Sequence, residues 1–428
     1  MYKYYTPRIT LSNKSERPQK VPYYGVMKKY FGLLGLLLSP LSHADWMSEP
    51  QLQELKLSAP LTKLIQSKKT QPDSKLEVDG VLSYGQRQIA VTVKVRGHTN
   101  YLEEECPFPK LTLKFKDASS ELTPFAGLKK IKLGTHCGQS TDPKTWHTPL
   151  HRIKNQISVV REAFAYDLIR TLGVTTLQSR LVDMTYLDTE KQTSTKKKAL
   201  LLEADSEMAK RTKKQLLEFT ELTVEGPTSP KLPSFSDAVN NRVDLTQSAE
   251  VLLTEALLGN HDSALRISRF DQSTAGGPGL YNIFILRDVK SAVSTPVPYD
   301  FDVSSAVSGR SSLEVEAPSL NTDILGGLDL IQYSILRRVQ EIKAQVPPTH
   351  LGRAITKLLM NKTKAYAALK TYPMDVDGKE RFQKMMDFFY LSITQYLDLP
   401  KVSAAKGFLV YHDQAMKSLC GKLPKGSV

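Results

Sequence analysis

The hydrophobic period of this chain changes along its length. From Leu76 apolar residues recur at every second position, whereas from about residue 320 they recur at helical spacing. A period of two marks half-buried strands, and a period near 3.6 marks amphipathic helices. A chain that runs one and then the other predicts a strand-rich first lobe and a largely helical second lobe, a two-lobed α+β architecture.

The first half supplies the strands. LEVDGVLSYGQRQIAVTVKVRG (76–97) reads as a hairpin turning near Tyr84-Gly85. KLTLKFK (110–116) alternates strictly, with Leu111, Leu113 and Phe115 on one face and Lys110, Thr112, Lys114 and Lys116 on the other. KKIKLGT (129–135), SRLVDMTYL (179–187) and KALLLEA (198–204) are further strands, with residues 188–197 as a polar hairpin loop. Residues 45–74 read as helical and then loose. One helix is expected over 158–172, stopped by Gly173 in a C-cap position.

A Pro/Ser/Gly-rich stretch, EGPTSPKLPSFS (225–236), marks a boundary between an N-lobe over 45–236 and a C-lobe over 237–428. The C-lobe opens with a helix over 246–259. A Gly-rich loop, QSTAGGPG, follows, then a strand NIFILRD (282–288), and then a short strand running into VPYDFD (297–302).

The N-terminal stretch has the three parts of a secretory signal. Lys28 and Lys29 precede the apolar run FGLLGLLL (31–38), and SPLSHA ends in small residues at Ser42 and Ala44. Eight apolar residues are too few to cross a bilayer, which needs about 20. The expectation is a signal peptide over 27–44 that begins at Met27, with residues 1–26 as a non-native extension. A buried helix is the competing reading. The mature protein is then expected to be exported, periplasmic or extracellular, with no transmembrane anchor after signal cleavage.

Removing residues 1–44 changes the charge argument. The whole chain carries +14, but that stretch holds seven Lys/Arg and one Glu, which leaves 51 basic against 43 acidic residues. The lysine clusters at 194–198 and 209–214 then read as solvated faces, and no zinc-finger, RNA-binding or helix-turn-helix signature argues for nucleic acid. Three cysteines, Cys106, Cys137 and Cys420, predict one bridge and one free thiol in an exported protein. No CxxC or paired-His spacing argues for a metal site at the cysteines. No G-x-S-x-G elbow marks a serine hydrolase.

The chemistry-bearing residues are carboxylates, an amide and lysines. Asp300 and Asp302 form a D-x-D after an apolar strand, where positions i and i+2 share a face. Two hard oxygen donors there suit Mg²⁺ or Ca²⁺, although Asp is equally a strand-to-turn residue. Asp262 follows a helix end at Asn260-His261, where a carboxylate could orient a hydroxyl or accept its proton. Lys110 and Lys114 share a strand face, and Glu162 lies on the helix expected to pack nearby. A strand lysine paired with a helix glutamate holds the phosphates in protein kinases.

The order VRGHTN, PKLTLKFK, REAFAYDLIRTLG, LLGNHD, YNIF, VPYDFD resembles the spore coat protein H (CotH) kinase-like family across about 76–310. ECPFPKLTLKF, LGTHC and TPVPYDFD resemble more closely still a group of exported bacterial proteins with C-x-FP, T-H-C and PVPYDFD motifs. The resemblance implies an atypical protein-kinase-like fold binding Mg²⁺ and ATP. Lys110 or Lys114 would contact the phosphates, Glu162 would hold that lysine, and Arg96 of the RG segment would join the nucleotide site. Asp262 would be the catalytic carboxylate, and Asn282, Asp300 and Asp302 would hold Mg²⁺. Because the two cysteines travel together in that group, it implies a Cys106–Cys137 disulfide. The expected reaction is phosphoryl transfer to a hydroxyl of a protein or cell-envelope polymer. The alternative is a non-catalytic kinase-like module that binds a partner, nucleotide or cell-wall polymer. The chain departs from the family in lacking a G-x-G-x-x-G loop before the lysine strand and in the long span between Asp262 and Asn282.

Overall fold

The computed structural model describes residues 46–97, 105–116, 123–138, 152–217, 242–260, 262–265, 280–311 and 329–397, together with residues 5–8 and 220–223, Ser120 and His147. The expected signal peptide, the 225–236 boundary, the Gly-rich loop, His261 and Cys420 lie outside these residues.

Strands precede helices, and the strands close on themselves. β1 (Glu54–Ala59), β2 (Glu77–Tyr84), β3 (Arg87–Val95), β4 (Leu111–Phe115), β5 (Lys130–Gly134), β6 (Ser179–Asp188) and β7 (Thr193–Glu203) form a closed barrel in the order β1-β2-β3-β4-β5-β7-β6. Neighbours run antiparallel except at the seam, where β1 lies parallel to β6 with Leu57 opposite Tyr186. Alternation fills the interior. Leu55, Leu57, Val91, Val93, Leu111, Leu113, Ile131, Leu133, Met184 and Leu201 are all buried in one cluster. Closure removes the exposed edges that an open sheet of this size would carry.

Two local expectations change. ELKLSA (54–59) is a strand rather than part of a helix, because Leu55, Leu57 and Ala59 alternate inward while the helix α1 (Leu61–Thr70) starts only after Pro60. The 188–197 loop shrinks to four residues, since β7 begins at Thr193. The polar stretch is held as strand by its antiparallel ladder to β6, which runs from Lys198 opposite Asp183 to Thr193 opposite Asp188. After helix α3 (Asp205–Thr212), Lys214–Leu217 is a strand, β8. It gains its ladder from β9 (Ile283–Asp288), which also pairs with β10 (Ser294–Pro298).

The second core cluster is mostly helical. α2 (Gln156–Thr171) packs on β6 and β7 from outside the barrel and also joins this cluster through Phe164, Leu168 and Ile169. α4 (Leu245–Leu258) is buried around almost its whole circumference and lies in the centre, with Leu252, Leu253, Ala256 and Leu257 in the core cluster and Gln247, Glu250 and Glu255 buried beside them. The one-turn α5 (Ser305–Ser308) follows the D-x-D. Four further helices, α6 (Leu330–Gln345), α7 (Pro348–Met360), α8 (Lys362–Thr371) and α9 (Val376–Leu397), surround α4 and α2. Among the described residues no helix is long and apolar enough to cross a membrane.

Candidate functional site

Lys110 immediately precedes β4 and shares the outward parity of Thr112 and Lys114, yet it is buried. Its ammonium meets three carboxylates: Asp300 Oδ1 at 2.6 Å, Asp302 Oδ2 at 3.1 Å and Glu162 Oε1 at 3.5 Å. Burial alone would depress the ammonium. The carboxylates outweigh it and hold Lys110 above its usual range. Lys114, two residues on, does not reach this cluster. It pairs with Glu77 on the barrel surface, so the two lysines differ although they lie on one strand face.

Glu162 comes from the middle of α2, whose N-terminus Asn155 caps by accepting from the Ile157 N–H at 2.8 Å. Burial pushes Glu162 up to about 7, against the pull of Lys110. One turn on, Tyr166 turns the same helix face to the D-x-D, and its hydroxyl accepts from the Asp300 N–H at 3.0 Å.

Asp300 and Asn282 are brought together by the β9–β10 hairpin. Ile283 pairs with Pro298, so Asn282 and Tyr299 meet just beyond the last ladder pair, with the Tyr299 N–H donating to the Asn282 carbonyl at 3.0 Å. Both Asn282 (φ 51°) and Asp300 (φ 65°) adopt the left-handed region, which Asn and Asp tolerate better than other non-glycine residues. Asn282 and Asp300 therefore sit together at this hairpin end, one from each strand.

Asp262 follows α4. Gly259 (φ 55°) ends that helix, and the Asp262 N–H donates to Asn260 Oδ1 at 3.2 Å in an Asx turn. Asn282 Nδ2 donates to Asp262 Oδ2 at 3.0 Å and also to its carbonyl. Burial raises the Asp262 carboxyl to about 7, with Asp302 and Asp300 adding to the effect. A carboxyl poised near neutrality can take up and release a proton at physiological pH.

Asp302 is buried and meets two cations. Besides Lys110 it receives Arg152 Nε at 2.8 Å, and Arg152 also reaches Glu105 Oε2 at 3.1 Å. Burial opposes the charge of Asp302, but Arg152 and Lys110 outweigh it and hold the carboxyl well below the usual range. Cys106, next to Glu105, is bridged to Cys137 with an S–S distance of 2.08 Å. Arg96, at the end of β3, donates its backbone N–H to the Lys110 carbonyl at 2.9 Å, and its positive charge acts on both Lys110 and Glu162.

Of the residues named from sequence, Lys110, Glu162, Asp300 and Asp302 converge directly. Asp262 and Asn282 form an adjoining pair, Arg96 lies beside the lysine, and Lys114 stands apart. Arg152, Glu105 and Tyr166 belong to the same constellation and were missed. Tyr166 was legible as the i+4 neighbour of Glu162. Arg152 lies in HRIKN, a stretch without periodicity, and nothing local singles it out.

Among the described residues no group of three or more His, Cys, Asp or Glu side chains is arranged to hold a cation. The donors nevertheless suit Mg²⁺ chemically. Glu162, Asp300 and Asp302 pair with Lys110, Asp302 and Glu105 pair with Arg152, and the buried Asp302 Oδ1 lacks a hydrogen-bond partner among the described residues.

No family model matches the chain, and no curated protein matches it significantly. Among solved structures, the chain is similar to the Helicobacter pylori proinflammatory kinase CtkA. The similarity covers 68% of this chain and 94% of that one, at 14% identity and a TM-score of 0.37. Nothing about the chemistry of this chain follows from a likeness at that level.

Proposed function

We propose that the chain is an exported, two-lobed, atypical kinase-like phosphotransferase of the spore coat protein H type, acting with Mg²⁺ and ATP on a hydroxyl of a protein or cell-envelope polymer. The observation that carries this reading is the convergence at Lys110. A strand lysine paired with a central-helix glutamate meets a post-hairpin aspartate, beside an aspartate–asparagine pair that follows a buried helix. Protein kinases divide labour among the same residue types: a strand Lys and helix Glu for phosphates, an Asp for the substrate hydroxyl, and an Asn and Asp for Mg²⁺.

On this reading Asp262 accepts the hydroxyl proton, and its elevated proton affinity suits that task. Asn282 fixes the Asp262 carboxylate through the 3.0 Å hydrogen bond. Glu162 keeps Lys110 directed at the cluster, and Arg96 adds positive charge for phosphate oxygens. Asp300, Asp302 and Asn282 are the residues that would hold Mg²⁺, which supplies charge neutralisation on the phosphates when bound. Tyr166 keeps Asp300 at the hairpin end through its backbone N–H.

One observation favours the second reading, a non-catalytic module. The Lys110 ammonium sits directly on Asp300 and Asp302, where it satisfies the carboxylates that a cation would otherwise meet. The test is titration calorimetry of the mature protein with Mg²⁺–ATP, followed by labelled γ-phosphate transfer. Binding that is lost in Asp300→Ala and Lys110→Met, with transfer lost in Asp262→Asn, is the expected result. Binding without transfer in the wild type supports the module. Absence of binding, or equal binding by the wild type and Asp300→Ala, overturns both nucleotide readings.

A further inference from the structure

Asp302 is held from behind. Its Oδ2 takes the Arg152 Nε at 2.8 Å and the Lys110 ammonium at 3.1 Å, which leaves Oδ1 as the oxygen without a hydrogen-bond partner among the described residues. Arg152 is in turn anchored by Glu105 at 3.1 Å. Glu105, Arg152 and Asp302 are all buried, at 2%, 7% and 4% exposure. Removing one member therefore leaves a buried charge short of its partner, which is strongly unfavourable. Glu105 adjoins Cys106, whose bond to Cys137 ties it to the stretch just after β5.

We propose that Glu105 and Arg152 are positioning residues for Asp302, and that the Cys106–Cys137 disulfide braces Glu105 for this role. The disulfide thereby becomes part of the candidate site although neither sulfur touches it. The guanidinium suits the task because its planar fork can engage two carboxylates at once, which a lysine ammonium on a flexible stem does less rigidly. Pinning Oδ2 fixes the carboxylate plane, so the unpartnered Oδ1 is presented in one orientation. Residues behind a ligating group commonly set its affinity in this way, and losing one typically weakens metal binding about 10- to 100-fold.

The assignment of Asp302 to Mg²⁺ rests on the function proposed above, whereas the mechanical link from disulfide to Asp302 does not. Two measurements separate them. The first is amide hydrogen exchange over residues 299–308 in the mature wild type, Glu105→Gln, Arg152→Lys and the Cys106→Ser/Cys137→Ser double variant, with β3 as internal reference. The link predicts exchange at least tenfold faster over 299–308 in every variant, with β3 unchanged. Unchanged exchange in Glu105→Gln, which keeps the disulfide, overturns the link. Acceleration spread equally to β3 overturns it too, since that is general destabilisation. Should the cysteine variant fail to fold, Glu105→Gln and Arg152→Lys decide alone.

The second measurement is the Mg²⁺–ATP dissociation constant of the same proteins. A rise of about tenfold or more in Glu105→Gln is expected, and an unchanged constant overturns the positioning role. If the wild type binds no Mg²⁺–ATP, the proposed function fails while the exchange result still judges the link.

Discussion

His136 provides a measurement of how dry the junction beside the disulfide is. It is 5% exposed, stacks on Phe108 at 4.6 Å, lies 5.6 Å from the Tyr186 ring, and its Nδ1 has no hydrogen-bond partner among the described residues. Burial, helped by the charge of Lys197, pulls its pKa from 6.5 down to about 4. The unfolded chain therefore binds the proton more readily than the folded one. Stability from this residue is fully present above about pH 6.5, falls as pH drops towards 4, and is constant below. A drop from 6.5 to about 4 is worth about 3 kcal/mol, by the free energy attached to each decade of proton affinity. The assay is urea unfolding of the wild type and His136→Phe between pH 7.5 and pH 4. Phenylalanine keeps the ring in its stack and cannot be protonated, so the shared titration of Glu162 and Asp262 cancels in the difference. The wild type should lose about 3 kcal/mol relative to the variant by pH 4, most of it below pH 6. Parallel profiles would refute the reasoning, because the imidazole would then be protonated as easily in the fold as in water.

Two further substitutions test the supports of the site. Gly259→Ala should cost about 2 kcal/mol in urea unfolding, since the new Cβ would meet Ser305 at 2.8 Å in a left-handed backbone that L residues avoid. Arg161, buried beside Glu162, reaches Asp375 Oδ1 at 2.6 Å, Asp377 Oδ2 at 2.8 Å and the Val307 carbonyl at 3.2 Å. Arg161→Leu should lower stability by about 2–3 kcal/mol by breaking charge-assisted hydrogen bonds between α2, α5 and the start of α9, and thermal denaturation reads the loss.

Much of this arrangement is legible in the sequence, for reasons of differing strength. The alternation of Leu111, Leu113 and Phe115 is strict, and all three face the barrel interior. Gly173 ends α2 with φ 79°, as its place after an apolar helical run requires. Closure was not legible. Period two assigns faces to a strand but does not say which strand closes on which, and β1 was obscured by the helix that follows it directly. The distinction between Lys110 and Lys114 was equally hidden. Both occupy the same strand face, and only α2 and the hairpin end at Asp300 decide which is buried. β8 has four residues and no pattern of its own, and it is a strand because β9 offers it an edge.

The parallel seam has a consequence for how the chain acquires its shape. β1 pairs with β6, so Leu57 waits for Tyr186, which follows it by well over a hundred residues. Contacts so distant along the chain pay their loop-closure cost before returning any stabilisation, and they slow folding. During synthesis from the N-terminus, β1 emerges early, and its apolar face stays uncovered on the seam side until β6 has followed. The interval is when the nascent chain is most prone to wrong strand pairing, and a holding chaperone would find β1 the first segment to shield.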